Sequence, residues 1–150
     1  MGYCIRGFIV PNSLLNTINK SYPNIIISRL NQGYCLIPLT DEFYDEVNKF
    51  EGKSEQGYMF LTDKLIEFGI KLSKQLKSNI VYIEADYFGG NGYQNASVWN
   101  NGNRTFEEFK GDQGINNALK TLDLKIEIGK DEFETIGLNK NRRIEDWLES

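Results

Sequence analysis

NIVYIEADYFGGNGYQNASVW, residues 79–99, is the stretch that decides the fold. Residues 79–88 are rich in β-branched and aromatic side chains and predict a strand, and residues 93–99 predict its partner. The glycines between them favour a tight hairpin turn, because glycine adopts positive φ without strain. An Asn-Gly turn at 100–102 and a short strand at 104–109 follow, so this region predicts consecutive hairpins.

The rest of the chain extends this sheet and supplies helices. Before the hairpin region we predict a strand at 2–10, a helix capped by Asn12 or Ser13, and strands at 24–30 and 34–39. Thr40 then opens a helix with Phe43, Val47 and Phe50 along one side, and a second helix follows at 61–76. After the hairpin region we predict a helix capped by Asp112, an edge strand at 124–128 and two short helical turns in the tail. The opening β-α-β-β-α-β order is the split βαβ of a ferredoxin-like sheet. We therefore expect one α+β domain over residues 1–150, with a mostly antiparallel sheet and helices mainly on one face.

Composition limits the function classes. The chain has 150 residues, a net charge of −4 and a pI near 5.0, and its basic residues are dispersed, which argues against nucleic-acid binding. There is no histidine, so Ser-His-Asp and Cys-His sites are excluded. The two cysteines, Cys4 and Cys35, lie in apolar runs without a CxxC motif, and we expect no zinc site and no cofactor.

The expected location follows from the absence of targeting patterns. The amino-terminal residues show neither the profile of a signal peptide nor the myristoylation pattern. No apolar run approaches the length that spans a bilayer. We therefore expect a cytoplasmic protein without a membrane partner, and leave open whether it is a monomer or a dimer.

Glu84 and Asp86 form the best pair of carboxylates. At i and i+2 of a strand they share one face, with Cβ atoms roughly 7 Å apart, which suits a divalent ion in a metal-dependent enzyme. The plainer interpretation is the solvated face of a half-buried strand. Because Tyr82 and Phe88 share that face, mixed acidic and aromatic side chains also indicate a surface for recognising another protein.

Three other segments carry alternatives. GGNG at residues 89–92 superficially suggests a phosphate loop, but a strand follows it instead of a helix, which favours a hairpin turn. The charged tail around Trp147 is either a helical segment fixed by surface ion pairs or an aromatic anchor for a partner. Four acidic residues start the helix after Thr40, where two of them suit the helix dipole and the others could meet a basic partner: Asp41, Glu42, Asp45 and Glu46.

The segments VYIEADYFGGNGYQNASVW and DEFETIGLNKNRRIEDW resemble a group of small uncharacterised bacterial proteins. In size, acidity and single-domain character the chain is similar to immunity proteins of contact-dependent and other polymorphic toxin systems. The resemblance implies an inhibitor that neutralises a toxin, such as a nuclease, by direct binding and without catalysis. A regulatory or scaffold module is the alternative. The residues predicted to contact the partner are Glu84, Asp86, Tyr87, Phe88, Tyr93, Asp41, Glu42, Asp45 and Glu46.

Overall fold

The computed structural model describes residues 2–13, 18 and 21–148. Six strands, five α-helices and one 3-10 turn have described bounds. They are β1 Tyr3–Pro11, β2 Ser28–Arg29, β3 Tyr34–Pro38, α1 Asp41–Asn48, α2 Asp63–Leu76, β4 Ile80–Phe88, β5 Asn91–Asn100, β6 Asn103–Gly111, α3 Gly114–Leu119, α4 Glu132–Ile136, the 3-10 turn Leu138–Lys140 and α5 Ile144–Trp147.

All six strands form one antiparallel sheet in the order β2-β3-β1-β4-β5-β6. The first four strands have the order of the ferredoxin-like split βαβ arrangement, and the β5–β6 hairpin extends it at one edge. The predicted α+β class and antiparallel sheet are confirmed. Gly89 and Gly90 close the β4–β5 hairpin and Asn101 and Gly102 close the β5–β6 hairpin, each pair with positive φ.

Both faces of the sheet are covered, whereas the sequence led us to expect helices mainly on one face. Val81 and Ile83 of β4 pack with α3, α4 and α5 in one apolar cluster. Ile80 and Tyr82, which point the other way, pack with α1 and α2 in a second cluster. The reason is that the central strands carry apolar side chains at consecutive positions, so each face has apolar area to remove from water.

The helix boundaries reflect capping. Thr40 and Thr62 are the N-caps of α1 and α2, and each hydroxyl accepts a backbone N–H of the first turn. α1 ends at Asn48, with Lys49 and then Phe50 in the left-handed region. Phe50 was expected on the apolar side of this helix, but it lies beyond the end and is 91% exposed.

Other predicted elements are shorter or absent. Of the strand predicted at 24–30 only Ser28–Arg29 pairs with β3, and residues 124–128 form no strand. Gln113, not Asp112, holds the N-cap position of α3. The helix predicted after Asn12 or Ser13 lies mostly outside the described residues, although Ile18, which is described, is helical and buried. None of the helices that the structure describes combines the length and the apolarity needed to cross a bilayer.

Candidate functional site

The carboxyl end of β4 carries an uncovered patch. Asp86 and Phe88 follow the buried part of the strand, and Phe88 is 82% exposed. Tyr93 of β5 is the direct cross-strand neighbour of Asp86, so their side chains share one face. Met59, 52% exposed, and Lys110 of β6 complete the walls of a depression with a volume of about 700 Å³. We call these five residues the hairpin-end surface.

Glu84, two residues earlier on the same face, is not part of that surface. It is only 2% exposed, and each carboxylate oxygen accepts two hydrogen bonds. Oε1 accepts from the Met59 backbone N–H at 2.5 Å and from Asn95 Nδ2 at 2.9 Å. Oε2 accepts from the Phe60 N–H at 3.0 Å and from the Tyr82 hydroxyl at 2.6 Å. The predictions that Glu84 contacts a partner or lies on a solvated face are therefore wrong.

The same geometry weakens the proposed Glu84–Asp86 metal pair. A metal ion at Glu84 would have to displace donors that already occupy both oxygens. The described residues also contain no group of three or more cysteine, aspartate and glutamate side chains placed to hold a metal ion.

Residues 57–60 form the loop that covers Glu84. The Tyr58 hydroxyl hydrogen-bonds with the Ser97 hydroxyl and donates to Glu107 Oε2 at 3.1 Å. The Phe60 ring lies under the Arg6 guanidinium, whose Cζ is 4.2 Å from the ring centroid. The loop is thus held from three sides, and this fixes Met59 at the rim of the depression.

Tyr87 does not share the face of Asp86. It lies half-buried on the opposite face, where it packs against the cluster that α3, α4 and α5 cover. Because side chains alternate along a strand, Tyr87 and Phe88 cannot both line the same side of the sheet. At the end of β4, however, a second depression of about 390 Å³ is lined by Tyr87 as well as by Asp86, Phe88, Arg6 and Arg142.

The acidic helix start is only partly available to a partner. Glu42 and Asp45 are exposed. Asp41 is also exposed and lies 3.7 Å from Arg6 Nη2. Glu46 is half-buried and accepts both the backbone N–H of Asn24, at 3.1 Å, and its side-chain amide, at 2.9 Å. Since Arg6 pairs with Asp41 and also lines the 390 Å³ depression beside Asp86, it connects the acidic helix to the hairpin end.

Two further candidates have structural roles. Trp147 is fully buried in the cluster below α3, so it is part of the core and not an exposed anchor for a partner. Gly89 and Gly90 form a hairpin turn with φ of +61° and +83°, and neither has another atom within 4 Å of its Cβ position. No helix N-terminus follows this turn, so it lacks the geometry of a phosphate loop.

Burial and negative charge shape the titration of this region. Burial raises the pKa of Tyr93, and the Glu84 and Asp86 carboxylates raise it further. Burial and then Asp86 likewise raise the pKa of the Cys4 thiol, which Arg6 opposes. Burial, more than charge, therefore keeps the Tyr93 hydroxyl and the Cys4 thiol protonated.

Sequence reasoning missed several residues of the site. The sequence patterns assign Met59 and Phe60 to neither the polar loop before them nor the helix after them, although the run YMFL at 58–61 is apolar. Asn95 is 1% exposed, and it connects Glu84 to the Lys110 backbone N–H, which donates to its Oδ1 at 2.9 Å. No pattern in the sequence indicates this link between three strands.

No protein-family model, no curated protein and no solved structure matches this chain.

Proposed function

We propose that this protein binds another protein through the hairpin-end surface and acts as an immunity-like inhibitor of a basic toxin domain. The observation that carries the proposal is the exposure of Phe88 and Met59 around a depression at an uncovered end of the sheet. Large apolar side chains that rim a concave, partly polar patch are typical of interaction sites.

The chemistry of the partner follows from charge. The net charge is −4, and Asp86, Glu42 and Asp45 present carboxylates to solvent. Complementary potential steers a basic partner toward this surface and opposes an acidic one. A toxin domain that acts on nucleic acid carries the required positive charge, because it must bind phosphates. Inhibition would then need only a tight complex that covers the toxin, with no catalytic group on this chain.

The test is co-expression of the tagged protein with the product of the neighbouring gene. We expect a one-to-one complex, protection of the cells, and a dissociation constant that isothermal titration calorimetry can follow. Phe88→Asp and Asp86→Lys should each weaken binding by about thirtyfold or more, the size of an interface hot spot.

Matched controls lie at the other end of the sheet. Ile128 is fully exposed and Asp123 is exposed, and both belong to the segment near Gln32, which donates to the Lys125 carbonyl at 2.9 Å. Ile128→Asp and Asp123→Lys should leave binding within about twofold, as for residues outside an interface. Equal losses for surface and control variants would reject the hairpin-end surface. If a housekeeping protein is the sole stoichiometric partner, the function is that of a regulatory module and not of an inhibitor.

A further inference from the structure

Tyr93 and Asp86 are cross-strand neighbours, and each carries a hydrogen-bonding group without a partner among the described residues. The Tyr93 hydroxyl is buried and has no hydrogen-bond partner. Across the strand pair, the exposed Asp86 carboxylate makes no hydrogen bond or ion pair with any residue that the structure describes. A buried polar atom without a partner costs free energy and calls for an explanation, such as a group that binds there.

The surroundings of this pair favour a flat cation. Phe88 and Tyr93 supply aromatic rings, and Met59 supplies a polarisable apolar side chain. Glu84 lies behind the floor of the depression, where it accepts a hydrogen bond from Asn95. A neutral apolar group would leave the Tyr93 hydroxyl and Asp86 without partners, and an anion would face two carboxylates.

We infer that the hairpin-end depression binds an arginine side chain of the partner protein, and this rests on the proposed function. The guanidinium is planar, so it stacks on aromatic faces while it donates to a carboxylate. Asp86 accepts its N–H groups, and a turn of the Tyr93 side chain brings its hydroxyl, which lacks a partner among the described residues, within hydrogen-bond reach of the guanidinium or of Asp86. Arginine is also among the residues that most often dominate binding at interfaces.

Lys110 is the cation of this chain on the opposite rim. Among the described residues it forms no contact ion pair, whereas Arg6, Arg142 and Arg143 line the neighbouring depression that Asp86 also reaches. As a like charge Lys110 opposes the entry of a guanidinium. Its removal should therefore strengthen arginine binding, which a purely apolar pocket would not show.

The test is a titration of the isolated, ¹⁵N-labelled protein with acetyl-Gly-Arg-Gly-amide, followed by NMR. We expect saturable shifts confined to residues 57–59, 86–93 and 110. Asp86→Asn and Phe88→Ala should each weaken binding at least threefold, and Lys110→Gln should strengthen it about twofold. The control Asp123→Asn should change nothing. The Gln and Lys versions of the peptide should bind at least threefold more weakly.

Specific results would overturn the inference. Equal binding of the Gln or the Lys peptide would remove the assignment to arginine, and shifts confined to α1 would move the site to the acidic helix. Because the probe is a peptide, the result is separate from the search for a toxin. Peptide binding without any protein partner would support the pocket and refute the inhibitor. A toxin complex that Phe88→Asp weakens, found without any peptide binding, would support the inhibitor and refute the arginine pocket.

Discussion

The inner and outer parts of β4 differ in burial although they belong to one strand. Glu84 and Asp86 lie two residues apart on the same face, yet Glu84 is 2% exposed with four donors and Asp86 is exposed with none. The difference comes from residues 57–60, which cover the strand as far as Glu84 and stop there. A period of two therefore tells which face a side chain occupies, but not how deeply it is buried.

The two glycine hairpins repeat this contrast. The Gly102 N–H donates to the Ser73 hydroxyl of α2 at 2.8 Å, so the β5–β6 turn is packed against a helix. The turn at Gly89 and Gly90 has no neighbour within 4 Å of either Cβ position. Similar turn residues thus form one turn that packs against a helix and one turn without packing neighbours. The second turn is the one beside Phe88.

The largest effect expected from this comparison concerns stability. Glu84→Ala should lower the free energy of unfolding by about 3 kcal/mol, because it leaves buried donors, including the Met59 and Phe60 N–H groups, without an acceptor. Asp86→Ala should stay within about 0.5 kcal/mol, as for an exposed surface site. Urea unfolding at pH 7 measures both. Similar losses at the two positions would mean that residues 57–60 do not depend on Glu84.

Glu84→Gln sharpens the same test. Gln keeps one acceptor oxygen but turns an amide toward the Phe60 N–H or the Met59 N–H, so the loss should be intermediate, about 1–3 kcal/mol. Hydrogen exchange should then rise mainly in residues 53–62. Uniformly faster exchange would indicate global unfolding and not release of this loop.

A smaller effect concerns alkaline pH. Burial, and then the Glu84 carboxylate, raise the pKa of Tyr82 well above its ordinary value of 10.0. The folded protein therefore keeps this proton while the unfolded chain releases it above pH 10, so stability is complete below pH 10 and falls as the pH rises further. Urea unfolding between pH 8 and 11 should show a shallower decline for Tyr82→Phe than for the wild type. Parallel declines would assign the alkaline loss to other groups.

The smallest effect is local to the outer part. Asp86 is one of the charges that raise the pKa of Tyr93, after burial and Glu84. Asp86→Asn should therefore lower the pKa of Tyr93 while it leaves Tyr93 above an exposed tyrosine, because burial remains. A ¹³C-tyrosine NMR titration measures this, with Asp123→Asn as the control. An unchanged Tyr93 titration would mean that Asp86 does not face its hydroxyl.

Much of the local structure could be predicted from sequence. β4 and β5 were expected within two residues of their bounds, and Thr40 and the glycine turns have the predicted roles. These features depend on neighbouring residues: β-branched runs, capping hydroxyls and positive φ. The strand predicted at 124–128 is absent: the Gln32 side chain, and not a neighbouring strand, hydrogen-bonds with both the N–H and the carbonyl of Lys125.

The candidate site was predicted only in part. Asp86, Phe88 and Tyr93 do come together, since hairpin register follows from the turn. Met59 and Lys110 were missed, because long-range contacts bring residues 57–60 and β6 next to Asp86, Phe88 and Tyr93. Glu84 was misplaced for the same reason: the groups that surround it come from β5 and from residues 57–60.

The sequence by itself therefore determined the antiparallel hairpins, the helix caps, the lack of histidine and the acidic charge, all of which follow from composition or from contacts between near neighbours. Only the tertiary structure decided that helices cover both faces, that Glu84 is a buried acceptor and that Asp86 and Tyr93 keep unused hydrogen-bonding groups beside a depression. Burial is a property of what packs on a residue, and most of what packs on this strand is distant in the chain.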